Sequence, residues 1–82
     1  MYIVYLLKSL SHRRYYIGHT KDLEKRISAH NNGKVRSTKA YMPWKVIYQE
    51  NFNNKTSAQK RELEIKSYKS GEAFKKLVER MN

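Results

Sequence analysis

"YYIGHTKDLEKRISAHNNG", residues 15–33, decides how this chain is read, because its periodicity changes midway. Tyr15 to Gly18 alternates and is rich in aromatic and β-branched side chains, as in a strand. From Asp22 to Asn32 the spacing becomes helical. Leu23, Ile27 and His30 recur on one side, Asp22 and Glu24 occupy the first turn, and Gly33 follows as a C-terminal cap. Gly18 falls at the junction, a position suited to an unusual backbone turn or close approach of a ligand.

Upstream, Tyr2-Ile-Val-Tyr-Leu-Leu is apolar on both faces and reads as a buried central strand. A turn-like segment around residues 9–13 joins it to the strand at Tyr15, which predicts an antiparallel hairpin. Downstream, residues 34–45 read as a loop with one helical turn near Ser37–Tyr41, punctuated by Pro43. Trp44 to Phe52 alternates, with Trp44, Val46 and Tyr48 expected on one face and Lys45, Ile47 and Gln49 on the other. Thr56 or Ser57 is the expected cap of a helix running to about Ser67, and Gly71 breaks the pattern. Ser70 then caps a last helix through Arg80. The predicted class is α+β, a small three-stranded antiparallel sheet flanked by helices in the order β-β-α-β-α-α, as one domain over residues 1–82.

Composition narrows the function. Eighteen Lys and Arg against seven Asp and Glu give a formal charge of +11, which a polyanion would offset. There is no cysteine, hence no disulfide, thiolate metal site or Cys nucleophile. The longest apolar stretch is too short to span a bilayer, and no secretory signal is apparent, so the expectation is a cytoplasmic protein with a nucleic-acid partner and no membrane.

Several polar residues fall where apolar ones are expected. At about 100° per residue, Arg26 and His30 lie within about 60° of Leu23, on the side turned to the sheet. The alternative is that both snorkel at the edge of the stripe. In the next helix Ala58, Glu62, Ile65 and Lys69 share a narrow arc. An inward carboxylate is costly unless it holds a cation or pairs with Arg61, Lys66 or Lys69, whereas Glu64 should face solvent. Tyr5 and Tyr16 lie on adjacent strands, where tyrosines usually pack. A base, a cation for a phosphate and a carboxylate for a metal are the parts of metal-assisted phosphodiester cleavage.

These residues resemble the small members of the GIY-YIG nuclease superfamily over Tyr2 to about Lys76. Ile3-Val4-Tyr5 stands at the first tripeptide, Tyr16-Ile17-Gly18 matches the second, and the Asp22–Asn31 and Lys60–Lys66 runs supply the rest. Ile3 replaces the leading glycine, a change that suits a strand. The resemblance implies a metal-dependent endonuclease acting by in-line attack of water, with Glu62 as ligand of one Mg²⁺ or Mn²⁺ and Arg26 stabilising the phosphate. It implies Tyr5, Tyr16 and His30 as the groups that orient or deprotonate water, leaving open which is the base, with Gly18 and Asn31 structural at the site. His19 follows Gly18 where some relatives carry a lysine. It is expected to bind nucleic acid together with Lys34, Arg36, Lys39 and Lys45, for each of which a merely solvated side chain is the alternative. DNA is favoured over RNA, in repair or recombination, with weak sequence preference or targeting by a protein partner, a homodimer or a structured substrate such as a branch or lesion. Two rival readings remain: a catalytically weak or inactive nucleic-acid-binding module on the same scaffold, and a basic structural protein of a ribonucleoprotein.

Overall fold

The computed structural model describes residues 1–68 and 71–79. The chain runs through β1 (Tyr2–Ser9), β2 (Tyr15–Thr20), α1 (Leu23–Asn31), a short 3₁₀ turn (Lys39–Tyr41), β3 (Trp44–Phe52), α2 (Lys55–Ser67) and α3 (Glu72–Glu79). The strands form one antiparallel sheet in the order β2-β1-β3, so the apolar first strand is central, as its two-sided apolar pattern predicts. The predicted hairpin of β1 and β2 forms, and both strands run two residues longer than predicted. The bond between Met42 and Pro43 is cis.

Each face of the sheet carries its own core. On one, Val4, Leu6, Ile47 and Tyr48 pack with Ala58 and Ile65 of α2 and Phe74 and Leu77 of α3. On the other, Tyr5, Leu7 and Trp44 are covered by Leu23 and Ile27 of α1 and by Tyr41 and Met42. Full burial of each such apolar side chain is worth about 1.5–3 kcal/mol, and Val4 and Leu7 are wholly buried.

β3 departs from the expected alternation. Tyr48 pairs with Leu6 but Val46 pairs with Leu7, so Ile47 is an extra residue on β3, a bulge. Ile47 and Tyr48 consequently both enter the α2/α3 core, while Trp44 and Val46 keep to the α1 face. Placing Tyr48 with Trp44 is therefore corrected: a strict period of two does not survive one inserted residue.

Helix ends follow local side-chain chemistry. Asp22 caps α1 by accepting from the Lys25 amide at 3.1 Å, and Gly33 beyond its end has φ +72°, a left-handed conformation that favours glycine. The cap of α2 is Asn54, which accepts from the Ser57 amide at 2.8 Å. Thr56 and Ser57 lie inside the helix, correcting the expected start, because an Asn in extended conformation offers its side-chain oxygen one turn earlier. Ser70 and Arg80, expected at the ends of the last helix, lie outside the described residues, as does Lys69.

Candidate active site

The site is built on the α1 face around Tyr5. Antiparallel register sets Tyr5 opposite Gly18 and Leu7 opposite Tyr16, so both tyrosines rise from the same face of adjacent strands. Their ring centroids are 6.1 Å apart. A Cβ on Gly18 would lie 2.9 Å from the Tyr5 hydroxyl and 3.0 Å from the Tyr16 ring. The absent side chain is the space through which Tyr5 reaches toward the sheet edge.

α1 lowers His30 onto this pair. The imidazole is fully buried, and neither ring nitrogen lacks a partner: Nε2 is 3.1 Å from the Tyr5 hydroxyl and Nδ1 is 2.8 Å from Oγ1 of Thr38. Thr38 donates its hydroxyl hydrogen to the Val35 carbonyl at 3.3 Å, which leaves its oxygen to accept from Nδ1–H. That network assigns the tautomer, with Nε2 unprotonated and the Tyr5 hydroxyl donating to it. Burial, then the Arg26 charge, holds His30 below its ordinary value of 6.5, so Nε2 keeps its lone pair at neutral pH.

Arg26, half-buried one turn before His30, faces both hydroxyls. Tyr5 strengthens its positive charge, burial opposes this, and Tyr16 strengthens it again; the balance keeps Arg26 firmly cationic. For the Tyr5 phenol, burial outweighs the help of Arg26, and the charges of Tyr16 and Glu62 add to the effect. Its pKa is pushed up to about 12. Tyr5 is only 1% exposed, whereas Tyr16 on the edge strand is half-buried and reached by solvent.

Glu62 approaches from the other side. His19 pairs with Val4, so it points to the α2 layer, away from Gly18 and Tyr5. Its Nδ1 lies 2.6 Å from Oε1 of Glu62, and Nζ of Lys66 lies 2.6 Å from Oε2. Burial pushes the Glu62 carboxyl up, but Lys66 and His19 outweigh it and hold the group below its ordinary value of 4.5. The carboxylate opens into a shallow pocket with His19, Gln59 and Leu63, while Arg26 opens into another with Thr20, Asp22 and Lys25. Tyr5, Tyr16, Arg26 and His30 thus converge, and Glu62 stands across the end of β2, with His19 and Thr20 projecting to opposite sides between the two pockets. One shared basin was the expectation; edge strand β2 divides it, although the Glu62 charge is still felt at Tyr5.

Among the described residues no group of three or more His, Cys, Asp or Glu converges. A lone ionised carboxylate at an open pocket suits a cation that keeps most of its waters and takes further oxygens from a substrate phosphate. Glu64 is exposed, as expected, and bonds Arg61. Arg61 also binds Glu50 at 2.8 Å and is not a partner of Glu62; of the expected cations within the described residues, only Lys66 takes that role.

One residue and one pairing escaped sequence reasoning. Thr38 completes His30 from a loop eight residues away, with no periodic signal to place it. His19 meets Glu62 across 43 residues. Asn31 clasps the start of β3: its amide donates to the Trp44 carbonyl at 3.1 Å and its oxygen accepts from the Trp44 N–H at 2.6 Å. Lys34, Arg36, Lys39 and Lys45 are all exposed; the first three lie on the segment that delivers Thr38.

The class of protein follows from comparison with known families: the chain matches the GIY-YIG catalytic domain over residues 1–77 and belongs to that family, whose members are typically nucleases acting on nucleic acid with a divalent metal. More particularly, it is similar to a UPF0213 protein of Staphylococcus saprophyticus, 45% identical over 65 residues that cover 78% of this chain and 79% of the relative. A UPF0213 protein of Staphylococcus aureus is 36% identical over 80 residues, 96% of each chain. The solution NMR structure of the UPF0213 protein BH0048 from Bacillus halodurans superposes with a TM-score of 0.59 at 29% identity, covering 95% of this chain and 82% of that one. No helix among the described residues is long and apolar enough to cross a membrane.

Proposed function

We propose that the chain is a divalent-metal-dependent endonuclease that hydrolyses phosphodiester bonds of nucleic acid, DNA in preference to RNA, by in-line attack of water. The observation that carries this reading is the Tyr5 hydroxyl 3.1 Å from Nε2 of the buried His30, with the Arg26 guanidinium beside them. A purely structural histidine would not need a guanidinium at its side.

Arg26 binds the scissile phosphate and stabilises the charge that grows on it. Tyr16, the tyrosine that solvent reaches, orients the attacking water. Tyr5 is too weak an acid to serve as a free phenolate. Its hydroxyl instead relays the water's proton, accepting one hydrogen as it gives its own to Nε2 of His30, which Thr38 holds in the receptive tautomer. Glu62 would hold Mg²⁺ or Mn²⁺, which when bound supplies Lewis-acid neutralisation of the phosphate. His19 and Lys66 must yield to it. Lys34, Arg36, Lys39 and Lys45 track the backbone by charge, and His19 contacts it at the end of β2. A role in DNA repair or recombination fits an endonuclease of weak sequence preference.

The alternative, a binding module with little catalysis, is favoured by the clasp on Glu62, whose two oxygens are held at 2.6 Å by the His19 imidazole and the Lys66 ammonium. Incubation of supercoiled plasmid with the protein in Mg²⁺ or EDTA separates the two. Metal-dependent nicking lost in Glu62→Ala and Arg26→Ala supports the enzyme; plasmid binding without nicking in any buffer supports the module.

A further inference from the structure

A second basic feature lies on β2, on the α2/α3 side of the sheet. Tyr15 opens the strand there, still 42% exposed although its ring stands edge-on to Phe74 with centroids 5.0 Å apart and planes at 78°. Ile65 and Phe74 floor a cleft beside it, and Arg13 and Lys66 stand on its rim. Arg13 is exposed and pairs with no acid among the described residues. Arg14 also borders the cleft, but its guanidinium lies over the Tyr41 ring, 4.9 Å from the centroid.

An exposed aromatic braced against a second ring is a poor use of apolar surface unless something flat covers it. Flanking cations select what that is. On a chain of +11, a planar group carrying its own negative charge is complementary where a neutral or cationic one is not. Nucleic-acid strands supply both parts at a fixed spacing: a base that stacks whatever its identity, and a phosphate.

Position ties the cleft to the active site. From Tyr15 to His19 the strand advances four residues, about 13 Å at 3.3 Å each. Lys66 borders the cleft and also holds Oε2 of Glu62. A phosphate that draws Lys66 toward the cleft therefore loosens one of the two groups that cover Glu62.

We propose that this cleft is a subsite for one nucleotide of a single-stranded segment flanking the scissile bond, its base stacked on Tyr15 and its phosphate held between Arg13 and Lys66. The proposal rests on the nucleic-acid reading above and adds to it a preference for substrates with an unpaired strand, because a base within a duplex cannot present its face to Tyr15.

The test is equilibrium binding of short fluorescent DNA single strands in EDTA, where hydrolysis plays no part. An abasic site is moved along the strand one position at a time. The unaltered protein should lose affinity about tenfold at one abasic position only. Tyr15→Leu, which keeps apolar packing against Phe74, should lose about as much on the intact strand and nothing more at that position. Tyr15→Phe should bind as the unaltered protein does. Affinity indifferent to the abasic position, or weakened by Arg13→Ala while Tyr15→Leu has no effect, overturns the subsite and leaves charge alone. Failure of the unaltered protein to bind any strand at low salt overturns the nucleic-acid reading itself.

Discussion

The Tyr5 hydroxyl and Nε2 of His30, 25 residues apart in sequence, meet at 3.1 Å inside the α1 core and join the centre of the sheet to the last turn of the helix. Removing the acceptor leaves a buried hydroxyl without its partner. His30→Leu, which keeps the volume, should destabilise the fold by about 1–3 kcal/mol and read out as a lower urea midpoint with unchanged slope. Plasmid nicking should fall further than the unfolded fraction explains.

The same imidazole sets a pH dependence. Its folded value lies below the ordinary 6.5, so the unfolded chain binds the proton first as pH falls. Its contribution to stability is complete above about pH 6.5 and is lost progressively toward the folded value. Thermal melts from pH 7.5 to 5 should show a decline that His30→Leu largely removes. A decline of the same size in the variant would assign it to other groups.

Gly18→Ala tests how closely the sheet and Tyr5 are fitted. The new methyl would stand 2.9 Å from the hydroxyl of a side chain that is only 1% exposed, so Tyr5 must move. Overpacking of this kind costs about 1–3 kcal/mol. Its effect on nicking should be larger, at least tenfold, because the hydroxyl leaves both Arg26 and His30. Parallel measurement of the urea midpoint and the nicking rate separates the two effects.

Asn31→Ala removes both hydrogen bonds that fasten α1 to the first residue of β3. A loss of about 2 kcal/mol is expected. Asn31→Asp keeps the acceptor and loses the donor, and should fall between the two in chemical denaturation.

Lys66→Met removes the ammonium from Glu62 and leaves the His19 imidazole as its one side-chain partner. Mn²⁺ binding, followed by electron paramagnetic resonance without any substrate, should tighten several-fold. Glu62→Gln should abolish it. Unchanged affinity in Lys66→Met would mean that the lysine already leaves the carboxylate freely.

Much of this was legible in the chain, for identifiable reasons. β1 announced itself as central because both of its faces are apolar, and α1 because its stripe, its acids at the start and its terminal glycine agree. Arg26 and His30 were singled out by the oddity of polar groups on a buried stripe. What stayed hidden depends on long-range register or on one inserted residue. The Ile47 bulge carries no signature that alternation detects, and it returns Tyr48 to the opposite core. Glu62 was placed correctly on its own helix, but the division between its pocket and that of Arg26 is a property of where strand β2 ends. No helical wheel contains that information. Thr38 comes from an irregular loop and becomes meaningful only once His30 has two nitrogens to account for.

The sheet order β2-β1-β3 leaves each outer strand with one edge that no other strand pairs among the described residues. Such edges invite a second copy of the same chain to add on as a further strand. Here Arg13, Arg14 and Lys21 flank β2, and Lys45 projects from β3, all of them exposed. These cations therefore keep molecules apart as long as nothing neutralises them. Saturating them with a polyanion, or screening them with salt, lifts that protection and should render the protein prone to self-assembly under conditions in which its own fold is unharmed.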